Sequence, residues 1–467
     1  MIRVTLATLV AWASPALAAA ATLSFLEAPV ANAAAPAPTI TAVAAGGYHS
    51  CALTSAGGVK CWGYNDSGQL GNGTTTNSFS PVDVSGLASG VTAIAAGYYH
   101  SCAVLSSGGA KCWGSNEFGQ LGNGPRDGGP HPDSLTPVDV LRADSVSPVE
   151  IMSGVAAIST GGLDTCVLTS VGGLQCWGAN DAGQLGYGKP TDFGIPWPVG
   201  VVDLGSGVTA IAAGPDHTCA VAAGGQVKCW GNNGGGQLGD GSTTSTSTPV
   251  NVSGLDGTVT AFAMGYDHTC ALMSTGEVKC WGANAHGQLG DGTADPRFSP
   301  VDVSGLASGM RAIGAGAAAE HTCALTNTGG VKCWGYNAYG QLGNGSATES
   351  SAPVDVVGLM RGAEAVAVGY YHSCALTSEG GVMCWGHNYA GGLGDGSTID
   401  SNVPVSVGFA TQGMPQTDAA EPGAREVRAD PPLLPLLAGS AAGIAMLVRR
   451  RTYREADLPN SSSAPTL

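Results

Sequence analysis

The chain has 467 residues, a formal net charge of −16, a pI near 4.8 and only 11% charged residues. Its cations form no run apart from Arg449–Arg451, which argues against the cationic face that phosphate neutralisation requires, and so against nucleic-acid binding. The 74 glycines and 26 prolines argue against long helices and for short strands joined by tight turns.

Residues 1–18 read as a signal peptide: one cation (Arg3), an apolar stretch (Val4–Trp12) and the small-residue pattern Ala16-Leu17-Ala18. Ala31-Asn32-Ala33 offers a second cleavage point, at 33. Residues 19–38 form an Ala/Pro-rich linker. From 39 to 409 one unit recurs seven times, with first cysteines spaced by 51, 64, 53, 51, 53 and 51 residues. In the first unit the predicted strands are Ala42–Ala45, His49–Thr54, Val59–Trp62 and Val82–Val84. Six units carry Asn-Gly or Asp-Gly at the position of Asn72-Gly73, a strong turn signal; the third has Tyr187-Gly188. Four short strands in about 50 residues are a propeller blade, and seven blades close without a long open edge. A solenoid would need capping repeats that the sequence does not show. The segment Pro404–Val407 is expected to complete the blade begun near Thr39. Residues 410–430 read as a linker, 431–448 as an uncharged transmembrane helix of minimal length, and 449–467 as a short basic and polar cytoplasmic tail.

All fourteen cysteines pair off ten positions apart: Cys51 with Cys61, Cys102 with Cys112, Cys166 with Cys176, Cys219 with Cys229, Cys270 with Cys280, Cys323 with Cys333 and Cys374 with Cys384. In a hairpin that sets Cys51 opposite Cys61, the loop has three residues centred on Ala56, with Gly57 free to take positive φ. Directly opposed residues lie within disulfide reach, so each of the seven pairs is expected to form a disulfide. The competing reading is a metal site, since His49, Cys51 and Cys61 are zinc-type ligands. Against it, the third unit has Asp164 in place of the histidine, and no Cys-x-x-Cys occurs. Disulfides imply an oxidising compartment, in accord with the export signal.

The stretch "GYYHSCAVLSSGGAKCWGSNEFGQLGNG" resembles the repeat of the regulator of chromosome condensation family, in its Gly-x-x-His, Trp-Gly-x-Asn and Gly-Gln-Leu-Gly elements. The last stands at Gly68–Gly71, Gly119–Gly122, Gly183–Gly186, Gly236–Gly239, Gly287–Gly290 and Gly340–Gly343, with Gly391-Gly392-Leu393-Gly394 in the seventh unit. The resemblance implies an all-β, seven-bladed propeller, and for the founding member nucleotide exchange on a small GTPase, although no exchange residue can be carried over onto this sequence.

The recurring histidines (His49, His100, His217, His268, His321, His372) are read as a hydrogen bond repeated within each blade. The tryptophans of Cys-Trp-Gly are read as packing between blades, and Asn65 and its equivalents as turn-bonding side chains. No nucleophile, phosphate-loop or dinucleotide motif appears, so no catalytic, cofactor or metal site is assigned. Specific recognition is expected where the units differ, in Gly124–Met152 and Tyr187–Val202, with Arg126, Phe193 and Trp197 as candidate anchors. The expected function is a non-enzymatic propeller held at the membrane outside the cytosol, binding a protein or glycan through one face. The alternatives are guanine-nucleotide exchange, implied by the resemblance, and inhibition of an enzyme by a secreted propeller.

Overall fold

In a computed structural model describing residues 39–124, 131–142, 150–191, 193–316 and 318–409, the cysteine hairpin forms as its spacing requires. Strands β1 (Ile40–Ala45), β2 (His49–Thr54), β3 (Val59–Gly63) and β4 (Ser78–Asp83) build one antiparallel sheet in chain order. Within it Cys51 faces Cys61, Ala52 faces Lys60 and Leu53 faces Val59. The turn is closed by Thr54 N–H donating to Gly58 C=O and Gly57 N–H donating to Thr54 C=O, with Gly57 at φ +77°. That conformation strains any residue with a Cβ.

The same register recurs in every unit. Cys102 stands opposite Cys112, Cys166 opposite Cys176, Cys219 opposite Cys229, Cys270 opposite Cys280, Cys323 opposite Cys333 and Cys374 opposite Cys384. All seven pairs are bonded as disulfides, with Cα–Cα separations of 4.0–4.1 Å. None of these cysteines is left over as a metal ligand.

Six more four-stranded sheets follow, at 91–139, 155–200, 210–251, 259–302, 310–355 and 363–406, and together they make an all-β, seven-bladed propeller. The only helix among the described residues is a 3₁₀ turn at Ala223–Gly225. The first strand of each blade lines a central cavity of about 280 Å³, and small side chains such as Ala45, Ala96 and Ala213 let the strands converge on the axis. The fourth strand is the outer edge. It begins four residues before the predicted start of Val82–Val84, so Pro81 sits in its middle. Proline there costs the sheet little, because an edge strand leaves half its N–H groups unpaired, and it blocks further pairing. Equivalent prolines stand at Pro137, Pro198, Pro249, Pro300, Pro353 and Pro404.

Ring closure differs from the expectation. Ser401–Ser406, which contains Pro404, pairs with Val382–Gly386 of its own blade and not with the blade begun at Thr39. Closure is made by face packing instead: Ile40, Ala52 and Trp62 share a core with Leu376, Val382, Leu393 and Val407. Phe409 adds an edge-to-face contact with Trp62, at 5.8 Å between ring centroids. Every seam uses the same device. The indole of each blade packs into the core of the blade before it, and its Nε1–H donates to a backbone carbonyl there, from Trp113 to Gln69 at 2.8 Å through to Trp62 to Gly392 at 2.9 Å. Because the acceptor is main chain, the seventh unit's departure from Gly-Gln-Leu-Gly leaves the bond intact.

Residues 1–38 and 410–467, which include the expected signal peptide, both linkers, the apolar segment 431–448 and the tail 449–467, lie outside the described residues. Among the described residues no helix is long and apolar enough to cross a membrane.

Candidate binding face

The recurring histidines are buried, and their hydrogen bond joins neighbouring blades rather than lying within one. His49 Nε2 meets Ser101 Oγ at 2.7 Å, and Ser101 donates its single proton to Gln69 C=O at 3.0 Å, so the imidazole must donate through Nε2–H. The same relay runs through His100 and Thr165, His217 and Thr269, His268 and Thr322, His321 and Ser373, and His372 and Ser50. Burial lowers the His49, His100, His217, His268 and His321 pKa values to about 3, and that of His372 to about 4, which holds all six neutral. They are fasteners, with no exposed edge for chemistry. The third seam lacks one. Asp164 is fully buried there with neither carboxylate oxygen hydrogen-bonded, while Thr218 still donates to Gln184 C=O at 2.9 Å.

The repeated geometry of the fastener places the residue immediately before it at the mouth of the channel. Its carbonyl accepts the N–H of the residue that follows Trp-Gly in every blade, as in Tyr48 C=O to Tyr64 N–H and Asp216 C=O to Asn232 N–H. Seven equivalent positions therefore ring the mouth: Tyr48, Tyr99, Leu163, Asp216, Asp267, Glu320 and Tyr371. Taken around the ring they form an aromatic arc over blades 7, 1 and 2, and an acidic arc over blades 4, 5 and 6.

Neighbouring loops thicken the aromatic arc. Tyr48 lies 5.8 Å from Tyr98 and 5.7 Å from Tyr370, and Tyr370 stacks on Tyr371 at 3.8 Å. Tyr339 lies 4.9 Å from Tyr371 and 4.5 Å from His387, while Tyr336 packs against His286 at 4.9 Å. With Tyr64, Tyr266 and Tyr389, these loops carry ten of the chain's twelve tyrosines. Tyr389 and Tyr266 are exposed, and most of the others are half-buried. Burial, chiefly, pushes the phenols of Tyr48, Tyr98 and Tyr371 well above their ordinary value, and that of Tyr266 to about 12, so they stay protonated as donors. Two carboxyls of the acidic arc are perturbed in the same sense: burial, then the neighbouring Asp181 and Asp267, raise Asp216 to about 7, and burial raises Asp267. Gln237 Nε2 donates to Asp267 at 2.6 Å.

The family model for the RCC1-like domain matches residues 138–425, and that for the regulator of chromosome condensation (RCC1) repeat matches 56–104. A second model of the RCC1 repeat matches 40–69 and 91–120. The chain belongs to the RCC1-like domain family. This RCC1-like domain is similar to the Ultraviolet-B receptor UVR8 of Arabidopsis thaliana, at 31% identity over 79% of the chain and 82% of the relative. Among solved structures it is similar to human WBSCR16, with a TM-score of 0.65, 25% identity and coverage of 75% of this chain and 94% of that one. It also shares the fold of yeast RCC1 (Prp20) crystallised with Kap60, with a TM-score of 0.64, 23% identity and coverage of 75% and 83%.

Within the RCC1-like domain, the anchors expected from loop length do not join the mouth. Phe193 is exposed just before the outer strand Ile195–Gly200, and Trp197 lies half-buried within that strand, at the rim. Arg126 lies outside the described residues. Asn65 bonds its turn as read, accepting Leu70 N–H at 2.9 Å and donating to Thr74 and Thr76 C=O. Asp291 in Gly290–Asp295 is engaged by Thr293 and Arg297, and no metal-binding cluster of His, Cys, Asp and Glu occurs among the described residues. What loop length hid was the arc. The signal was in the sequence, in the residue before each histidine or Asp164, where the aligned units differ in chemistry and, apart from two extra residues before Glu320, not in length.

Proposed function

We propose that this RCC1-like domain is a non-catalytic binding module whose channel mouth takes a protein partner. The observation that carries this reading is the concentration of ten of the twelve tyrosines on one face. Tyrosine supplies large contact area with few rotatable bonds and one polar end, which is why it dominates recognition surfaces. The hairpin loops of the opposite face, such as Ser55–Gly58, Ser170–Gly173 and Ser274–Glu277, carry no aromatic ring. Phe193 and Trp197 would then add contacts at the rim, with Arg126 a further candidate anchor. The seven disulfides favour a site outside the cytosol, with residues 1–18 directing export and 431–448 holding the chain at a membrane. Nucleotide exchange on a small GTPase is supported by family membership alone.

The test is site-specific photocrosslinking in the native organism. A benzophenone side chain in place of Tyr389 is expected to capture one discrete partner, whereas the same group in place of the exposed Val171 on the opposite face captures none. Equal capture from both positions would refute the reading.

A further inference from the structure

We infer that the partner is a cationic protein segment, whose arginine and lysine side chains seat between the acidic arc of Asp216, Asp267 and Glu320 and the tyrosine rings beside it. The inference rests on the mouth being the binding face and adds the chemistry of what binds there. The residues between the first two strands of each blade, with the five that follow each Trp-Gly, carry six carboxylates: Asp66, Glu117, Asp181, Asp216, Asp267 and Glu320. These short segments hold no lysine and no arginine, and their only basic side chains are His286, whose Nε2 lies 3.6 Å from Glu320, and His387; Arg126 and Lys189 come later in the loops of Glu117 and Asp181. Elsewhere the chain does pair its charges. Lys60 with Asp83, Lys111 with Asp139 and Lys332 with Asp355 lie at 2.6–2.7 Å along the outer strands. The three half-buried carboxylates, Asp216, Asp267 and Glu320, thus stand in segments that hold neither lysine nor arginine.

The physical chemistry separates the partner classes. An apolar or neutral surface seated on this face would strip water from Asp216 and Asp267 and bring no charge to offset the loss. A nucleic acid or an anionic membrane would be repelled, and a second copy of the chain brings the same carboxylates. An arginine satisfies both arcs at once, since its planar guanidinium bonds a carboxylate by two parallel hydrogen bonds and stacks on an aromatic ring. Burial raises both carboxyls, with Asp181 and Asp267 adding to the rise at Asp216, and a guanidinium bound beside them opposes that rise. The net charge of −16 adds long-range attraction for such a segment.

The experiment uses the full-length protein and fluorescein-labelled dodeca-arginine, with dodeca-glutamate as control, read by anisotropy at low and high salt. Dodeca-arginine is expected to bind one-to-one and to weaken about ten-fold on moving from about 50 to about 300 mM NaCl, as charges at an open face do. The triple variant Asp216→Asn, Asp267→Asn, Glu320→Gln should bind at least about ten-fold more weakly. A triple variant neutralised on the outer strands (Asp83→Asn, Asp139→Asn, Asp355→Asn) should bind within about two-fold of the parent. Glu320→Gln alone, which leaves the two more buried positions untouched, should show a smaller loss and guards against misfolding of the mouth variant. No binding of dodeca-arginine, or equal loss in the mouth and outer-strand variants, overturns the inference, since attraction would then follow net charge alone. Competition separates it from the reading beneath it. If saturating dodeca-arginine leaves the partner captured through position 389 in place, the cationic inference fails while the mouth remains the binding face.

Discussion

Asp164→His tests the seam chemistry directly. Six seams are fastened by an imidazole donating to a hydroxyl at 2.7–2.9 Å, and the third instead holds a buried carboxyl with no partner. The receiving end of the missing bond is intact: Thr218 stands with its proton on Gln184 C=O and its lone pairs free for an Nε2–H. Room for the ring is intact too. Gly161 keeps the place of Gly97, where an added Cβ would lie 2.3 Å from His100 Cε1. Histidine at 164 would add one net hydrogen bond, about 0.5–1.5 kcal/mol, and remove an unsatisfied buried acid, about 1–3 kcal/mol. A gain of about 2–4 kcal/mol is expected. Across about 370 residues unfolding together that moves Tm by only about 3–5 °C, so the guanidinium midpoint, followed by tryptophan fluorescence under non-reducing conditions, is the better readout. The gain should also grow with pH. Asp164 is held well above its ordinary pKa by burial and then by Asp216 and Asp181, so the folded state binds a proton that the unfolded state has released. Its stability contribution is whole below about pH 4 and is lost as pH rises through the folded value. The reciprocal change, His49→Asp, should destabilise by a similar amount and acquire the same pH dependence. An Asp164→His protein less stable than its parent at about pH 8 would refute the account of the seam.

Asp216 predicts a further pH effect of the same sign. A rise from the usual 3.8 to about 7 is worth about 4 kcal/mol for a group sealed from water, and its remaining solvent contact reduces that to about 1–3 kcal/mol. Stability should therefore fall between about pH 4 and about pH 7, and Asp216→Asn should flatten that slope in urea titrations at fixed pH. Replacing Cys51 and Cys61 together by serine should cost about 2–3 kcal/mol and leave the other six bridges, from Cys102 with Cys112 to Cys374 with Cys384, resistant to alkylation, as read by intact mass. Trp62→Phe strips the closing seam of its bond to Gly392 C=O while keeping most of the packing. It should cost about 1–3 kcal/mol, measurably close to the cost of Trp113→Phe at an internal seam, and a far smaller loss would show that the ring closes by other means.

How much of this was legible depended on sequence distance. The hairpin register could be read because both partners lie ten residues apart, and Gly57 marks the turn between them. That one rule placed Cys112, Cys176, Cys229, Cys280, Cys333 and Cys384 opposite their mates as surely as Cys61. The outer strand starts earlier than its hydrophobic pattern suggests because Pro81 looks like a boundary until the strand is known to be an edge. Closure is obscure in the sequence because near-identical repeats carry no mark of where one blade ends and the next begins. The partner of each histidine is hidden for a plainer reason: it lies in the next blade, 52 to 65 residues on or, for His372, back at Ser50, on a serine or threonine like many others. The mouth escapes notice because, apart from two extra residues before Glu320, the repeats keep the same spacing there and differ only in side-chain chemistry.

The disulfides have a consequence for how the chain is made. Each cysteine's partner is ten residues away, while the nearest wrong partner of Cys61 is Cys102, forty-one residues on. Loop closure alone favours the native pair by about 1.2 kcal/mol, roughly eight-fold, before any strand has formed. If the chain is exported as proposed, fourteen cysteines threading one after another into an oxidising space would meet their proper mates first. The oxidation needs little later reshuffling, so the last event left to assembly is the meeting of the first blade with the seventh.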